Sequence, residues 1–306
     1  MADEFTLEIK KIETTDPRLG RHVVHDSRSR RFAAPAKDPR KLSSVRHDIA
    51  IPVMDQGMEG SCTGHAGTAN LGGKEFWRAG KEAIGADDPH QYARRLYMAA
   101  TVLDPWPGVF EPDDTGSDGL SIAKALKERG LISGFTHAFS LNAALTALAE
   151  RPVMIGSNWL GSMYDPDPSD GHLTVDGPVE GGHEYLLDEL DVQRQRVWIR
   201  NSWGPQWGVQ GRVWISWADL GRLLAADGDC TVLIPLSEPA PTPSPAPPSP
   251  PTPTPAPTPA PPAPDASAPL RVALQKFIKT SACPKYLKKA AEGWLPSKST
   301  TRRSSS

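Results

Sequence analysis

Cysteine is scarce in this 306-residue sequence: Cys62, Cys230 and Cys283 are the whole supply. Three scattered thiols cannot build a disulfide framework, so the fold must rest on a buried core and tolerates reducing conditions. Residues 1–30 lack an apolar run of signal-peptide length, and no later stretch is long and apolar enough to cross a membrane. The expectation is cytoplasmic synthesis, with export by a route that needs no such signal left open. Close-spaced metal-ligand pairs are also missing. His65 stands three residues after Cys62, but no second pair completes a set with His183 and Cys230, so neither metal nor cofactor is expected. No nucleic-acid-binding motif is present.

Two features are plentiful. From Pro239 to Pro269 roughly every second residue is proline, a polyproline II spacer that reaches about 90 Å at about 3.1 Å per residue. Beyond it, residues 270–306 carry nine Lys/Arg against Glu292 alone, so a chain of net charge −2 divides into a tail of +8 and a remainder of −10. Apolar positions at Leu270, Leu274, Phe277 and Ile278, then Leu287, Ala291, Trp294 and Leu295, allow a small helical hairpin. Such a tail suits docking to a delivery machine, a polyanion or a membrane surface; the plainer alternative is a solvated, disordered tail.

The stretch with chemistry runs Asp55-Gln56-Gly57-Met58-Glu59-Gly60-Ser61-Cys62-Thr63-Gly64-His65-Ala66. A helix is expected to begin at or near Cys62, because small residues follow it to Asn70 and no proline intervenes before Trp77. A thiol at a helix N-terminus is biased toward thiolate by the dipole. Gln56 can offer an N–H donor beside it, which gives a nucleophile and part of an oxyanion hole. A lone cysteine is more commonly a buried, inert thiol. Two downstream stretches change that balance: Gly181-Gly182-His183-Glu184, and Asn201-Ser202-Trp203-Gly204-Pro205-Gln206-Trp207-Gly208. A thiol nucleophile needs a base, and the base needs an orienting group; His183 and Asn201 can fill those places. His172, without the glycine pair before it, reads as a surface-loop histidine.

In the order Gln56-x5-Cys62, Gly182-His183 and Asn201-Ser202-Trp203-Gly204-x2-Trp207-Gly208, the sequence resembles the papain-like cysteine peptidases over roughly residues 48–236. Glu59 stands where many members carry a second cysteine, and Thr63 where they carry Trp or Tyr, so the usual disulfides cannot form and the resemblance is to the prokaryotic branch. It implies Cys62, His183 and Asn201 as a catalytic triad with Gln56 as oxyanion donor. It further implies substrate contacts at Gly116, Ser117 and Gly182, Trp203 shielding the His–Asn hydrogen bond, and Trp207 on the leaving-group side. For Gly116 and Ser117 the alternative is simple helix capping by Ser117 or Ser121.

Helical patterns at 91–103, 119–129 and 141–149 precede strand patterns at 153–156, 184–190, 197–201, 211–216 and 230–236. Helices first and strands second predict an α+β protein with a helical lobe, a barrel-like antiparallel sheet lobe and the cleft between them. The expected divisions are 1–47, an N-terminal extension or short propeptide; 48–237, the peptidase domain; 238–269, the linker; and 270–306, the basic tail. Residues 1–47 either occupy the cleft or wrap the domain, and Arg28-Ser29-Arg30-Arg31 is a candidate processing site. The expected activity is endopeptidase cleavage of protein or peptide substrates. The same triad also serves acyl transfer or amide hydrolysis, and a binding or delivered effector protein acting through its tail is a third possibility.

Overall fold

The computed structural model describes residues 6–85 and 88–244. The basic tail, Cys283 and nearly all of the proline-rich stretch lie outside those residues. Near the N-terminus β1 (Leu7–Lys10) pairs antiparallel with β2 (Val23–Asp26), and β3 (Val45–Arg46) adds to the main sheet. The helical part follows as α1 (Cys62–Leu71), α2 (Trp77–Ile84), α3 (Pro89–Leu103) and α4 (Gly119–Glu128).

Every residue of α1 is buried, so it has no polar face and runs through the interior. Its small residues let neighbours approach. A Cβ at Gly64 would lie 2.3 Å from the Ala93 carbonyl oxygen on α3, and one at Gly67 would lie 2.6 Å from Ile122 Cγ2 on α4. The proline-free pattern toward Trp77 does not make one helix: α1 stops at Leu71 before Gly72-Gly73, and α2 starts afresh at Trp77. Asp88 caps α3 through the His90 N–H, and Asp118 caps α4 through the Ser121 N–H. The capping expected of Ser117 or Ser121 therefore falls to Asp118, whose carboxylate is the stronger acceptor; the Ser117 hydroxyl donates to Asp104 instead.

The second half runs β4 (Gly134–His137), α5 (Leu141–Leu148), β5 (Val153–Leu160), β6 (Val179–Asp191), β7 (Arg196–Arg200), β8 (Arg212–Ser216), α6 (Trp217–Ala225) and β9 (Asp229–Ile234). The strands form one antiparallel sheet in the order β4-β9-β5-β6-β7-β8, with β3 also on β6. Two apolar clusters result. One joins α1, α3 and α4 through Leu71, Leu96, Ile122 and Leu126; the other fills the sheet side with Leu145, Ile155, Trp159, Tyr185, Leu187 and Ile199. Full burial of each such side chain contributes about 1.5–3 kcal/mol. Helices on one side and an antiparallel sheet on the other is the α+β arrangement expected. β6 is the hinge of the design, because α1 packs against it directly. Its far end is fixed by Arg212, which reaches Asp188 through Nε at 3.0 Å and Nη2 at 2.6 Å and reaches Glu189 at 2.8 Å. Among the described residues no helix is long and apolar enough to cross a membrane.

Candidate active site

Cys62 opens α1, and no side chain caps that helix at Ser61. The thiol is fully buried. Burial pushes its pKa up to about 12, and the Glu184 carboxylate pushes the same way, while backbone hydrogen bonds from Glu184, Gly20 and Thr63 act in the opposite sense. The Glu184 amide places the sulfur one residue from His183 on β6, the strand against which α1 packs.

His183 Nε2 and Asn201 Oδ1 are 2.7 Å apart. The same oxygen accepts from the Ser202 backbone N–H at 2.8 Å, which identifies it as the amide's acceptor and makes Nε2 the protonated ring nitrogen. In the neutral ring Nδ1 then carries the lone pair, and it has no hydrogen-bond partner. Trp203 lies 5.0 Å from the imidazole centroid and Trp159 meets it edge-on at 4.9 Å, so the His183–Asn201 bond is enclosed by indoles. Burial lowers the His183 pKa to about 4 against a smaller opposing effect of the Asn201 bond. Both ionisable groups are thus held neutral, as thiol and imidazole.

Gln56 comes from a loop pinned to the Asn201 loop. Its backbone N–H donates to the Ser202 carbonyl, and the Gly204 N–H donates to the Met54 carbonyl. Its side-chain oxygen accepts from the Ser202 hydroxyl at 2.6 Å, which turns Nε2 outward to donate to the carbonyls of Glu59 at 2.6 Å and Arg18 at 3.0 Å. Cys62, His183, Asn201 and Gln56 therefore meet at one place.

That place is occupied by the chain itself. The Arg18 carbonyl takes the Gln56 donor and also favours protonation of His183. The Gly20 carbonyl accepts from Ser117 N–H at 2.8 Å, His22 N–H donates to Ser117 at 2.8 Å, and Arg21 N–H donates to Gly182 at 3.0 Å. Residues 18–22 therefore run as an added strand between the two walls. A Cβ at Gly20 would lie 2.0 Å from the Gly60 carbonyl oxygen, so only glycine passes there. The Arg18 guanidinium lies over Trp203 at 4.2 Å and is bound to Asp16.

The other residues singled out from sequence separate into those on this groove and those off it. Gly116 has a φ of +76°, and its missing Cβ leaves room for the Gly20 carbonyl. Gly182 likewise accommodates the Arg21 carbonyl. Trp207 packs edge-on against Trp203 and donates through Nε1 to the Tyr164 carbonyl at 3.1 Å. His65 bonds Ser61 and His90, and His172 stacks on Trp214. Among the described residues no group of three His, Cys, Asp or Glu is placed to hold a metal.

Sequence reasoning missed a second set. Arg21 and Glu184 are fully buried, and Arg21 Nη2 donates to the Asp229 carboxylate and, at 2.7 Å, to the Asp227 carbonyl. Burial and the Asp229 charge raise the Glu184 pKa well above the usual carboxylate range, and burial raises that of Asp118 to about 6. An acid directly before the apolar Tyr185-Leu186-Leu187 was the available signal.

No family model matches the sequence, and no curated protein sequence does. Among solved structures, xylellain, a cysteine protease from Xylella fastidiosa, matches 74% of this chain and 100% of its own at 16% identity, with a TM-score of 0.53. A recombinant stem bromelain precursor matches 67% of this chain and 76% of its own at 13% identity and TM-score 0.43. A digestive procathepsin L2 from Tenebrio molitor larval midgut matches 72% and 80% at 13% identity and TM-score 0.45. The xylellain match carries the conclusion that the fold is papain-like.

Proposed function

We propose that this papain-like chain is a cysteine peptidase held latent by its own residues 18–22. The observation that carries the reading is the Arg18 carbonyl oxygen. It lies 3.0 Å from Gln56 Nε2, beside a buried thiol and an imidazole bonded to Asn201. A peptide carbonyl in that position is what an acyl-transfer site must bind.

In the open enzyme, Cys62 passes its proton to His183 and the thiolate attacks the scissile carbonyl carbon. Gln56 Nε2 and the Cys62 N–H stabilise the oxyanion. His183 returns the proton to the leaving nitrogen as the C–N bond breaks, leaving a thioester on Cys62. Water, deprotonated by His183, attacks the thioester and releases the acid, which restores the thiol. Asn201 keeps Nε2 protonated so that Nδ1 does this work.

Latency follows from direction. The strand pairs with Ser117 and Gly182 in the parallel sense, with Arg18 toward Trp203 and His22 toward Gly116. A substrate with its acyl side on Ser117 and its leaving side toward Trp207 runs the opposite way. The bound strand therefore presents its peptides reversed.

The test is labelling with an epoxysuccinyl or vinyl-sulfone warhead, read by peptide mass spectrometry. Cys62 should label slowly in the full chain and rapidly in Gly20→Ala, where the added methyl cannot fit against Gly60. His183→Ala on that background should abolish the gain. Equal, fast labelling of the full chain and of Gly20→Ala would overturn latency; no labelling of either would overturn the peptidase reading.

A further inference from the structure

The Arg21 side chain leaves the groove between the Ser117 and Gly182 walls and enters a pocket built wholly by other parts of the chain. Asp118 and Gly119 open α4, Gly156 lies on β5, Glu184 on β6 and Asp229 on β9. Three carboxyl groups thus surround one cation, which lies fully buried. The two glycines make the room. A Cβ at Gly156 would come within 2.5 Å of Arg21 Nε, 2.6 Å of a Glu184 oxygen and 2.7 Å of an Asp229 oxygen, and one at Gly119 within 2.7 Å of the other Glu184 oxygen.

Arg21 uses Nη2 for both Asp229 and the Asp227 carbonyl, while Nε and Nη1 and both Glu184 oxygens lack hydrogen-bond partners. A buried ion pair that served only stability would be expected to use its donors and acceptors, since each buried polar atom left unmatched costs free energy. These groups are poised for a cation that arrives on a strand and can leave with it. When residues 18–22 withdraw, the carboxyls stay behind on the enzyme facing an empty, cation-shaped space.

We infer that this pocket is the specificity subsite of the proposed peptidase, and that it selects an arginine in the substrate at the acyl-side residue whose backbone pairs with Ser117. Asp229 is its anchor and Gly156 its gate. Lysine is the weaker fit, because its compact, strongly hydrated ammonium costs more to bury than the weakly hydrated guanidinium. The inhibitory strand and the preferred substrate would then share one side chain and differ in the direction of the backbone. This inference rests on the peptidase reading above.

The test uses full-length Gly20→Ala and Arg21→Ala proteins, both opened without changing the pocket. Each is treated with peptidyl acyloxymethyl ketones bearing Arg, Lys, Leu or Glu at the residue set against Ser117. Arginine should label Cys62 at least tenfold faster than leucine and faster than lysine, and Asp229→Asn should bring the Arg/Leu ratio close to one. Gly156→Ala, which fills the pocket with a methyl group, should do the same if Asp229→Asn does not fold. Cys62 labelling with leucine equal to or ahead of arginine, or a preference indifferent to both pocket variants, sinks the inference and leaves the peptidase intact. No labelling by any of the four sinks both.

Discussion

The Arg18 carbonyl oxygen and Gln56 Nε2 stand 3.0 Å apart, and the Ser202 hydroxyl, bonded to the other end of the same amide, fixes which way Gln56 points. One hydrogen bond thus links the N-terminal strand to a loop that is itself stitched to the Asn201 loop. Whatever removes the strand leaves that donor in place and pointing into the groove.

Gln56→Ala on the Gly20→Ala background should lower kcat by about 10²–10³, equivalent to about 2.7–4 kcal/mol, with little change in KM. Steady-state cleavage of a fluorogenic peptide measures it. An unchanged kcat would remove Gln56 from the mechanism.

Asn201→Ala deprives His183 Nε2 of its acceptor inside a cage of indoles. Both ring tautomers should then populate, and labelling of Cys62 in the opened protein should slow by about tenfold, the worth of one hydrogen bond. Nitrogen NMR of the imidazole reads the tautomer directly, and retention of the Nε2–H form would contradict the assignment.

Proton uptake should tie the stability of the closed chain to pH. The seated state holds His183 at about 4, below its ordinary 6.5, so this contribution is complete above 6.5 and is lost as pH falls toward 4. It holds Cys62 at about 12, above the ordinary 9.0, so that contribution is complete below 9.0 and is lost as pH rises toward 12. As far as these two groups decide it, the folded chain with its strand in place should be most stable between about pH 6.5 and 9. Denaturation midpoints measured across pH should peak in that window, and thiolate absorbance at 240 nm, taken as the difference from Cys62→Ala, should be absent at pH 7 in the full chain. Thiolate at pH 7 in the closed chain would contradict this.

Arg212→Ala should destabilise the chain by about 3–5 kcal/mol, because it strands buried Asp188 without its partner. Arg212→Lys should recover only part, since an ammonium cannot reproduce the two-pronged contact. Denaturant midpoints at constant slope measure both, and a loss below 1 kcal/mol would show that β6 does not depend on the pair.

Much of this architecture was legible because local signals agreed with tertiary ones. The small-residue run after Cys62 is helical from Cys62 itself, and the apolar runs around Ile155, Tyr185, Ile199 and Val213 are strands. The misses have physical causes. β6 starts as early as Val179: Gly181-Gly182 reads as a breaker, yet the two glycines leave room for the Leu19 side chain and the Arg21 carbonyl that lie against them. α6 was overlooked because its cap, Ser216, is also the last residue of β8, so no turn separates strand from helix. β4 is a four-residue edge strand opening on glycine. The Arg21 pocket was out of reach altogether: its partner Asp229 lies 208 residues away, and a polar, proline-broken N-terminal stretch gives no hint of a fully buried guanidinium.

The strand in the groove is held from both flanks. Upstream, β1 folds back on β2 and Lys10 reaches Asp227 at 2.5 Å; downstream, Ala34 N–H donates to His137 and Lys37 N–H to Thr146. A single cut within Arg28–Arg31 would leave the upstream piece seated by its own contacts. While covalently joined, such a piece meets its groove at an effective concentration on the order of millimolar; once cut, it must find the groove by diffusion. Release then depends on how much protein surrounds it. If the peptidase reading holds, molecules cut there would stay silent when concentrated and become active on dilution.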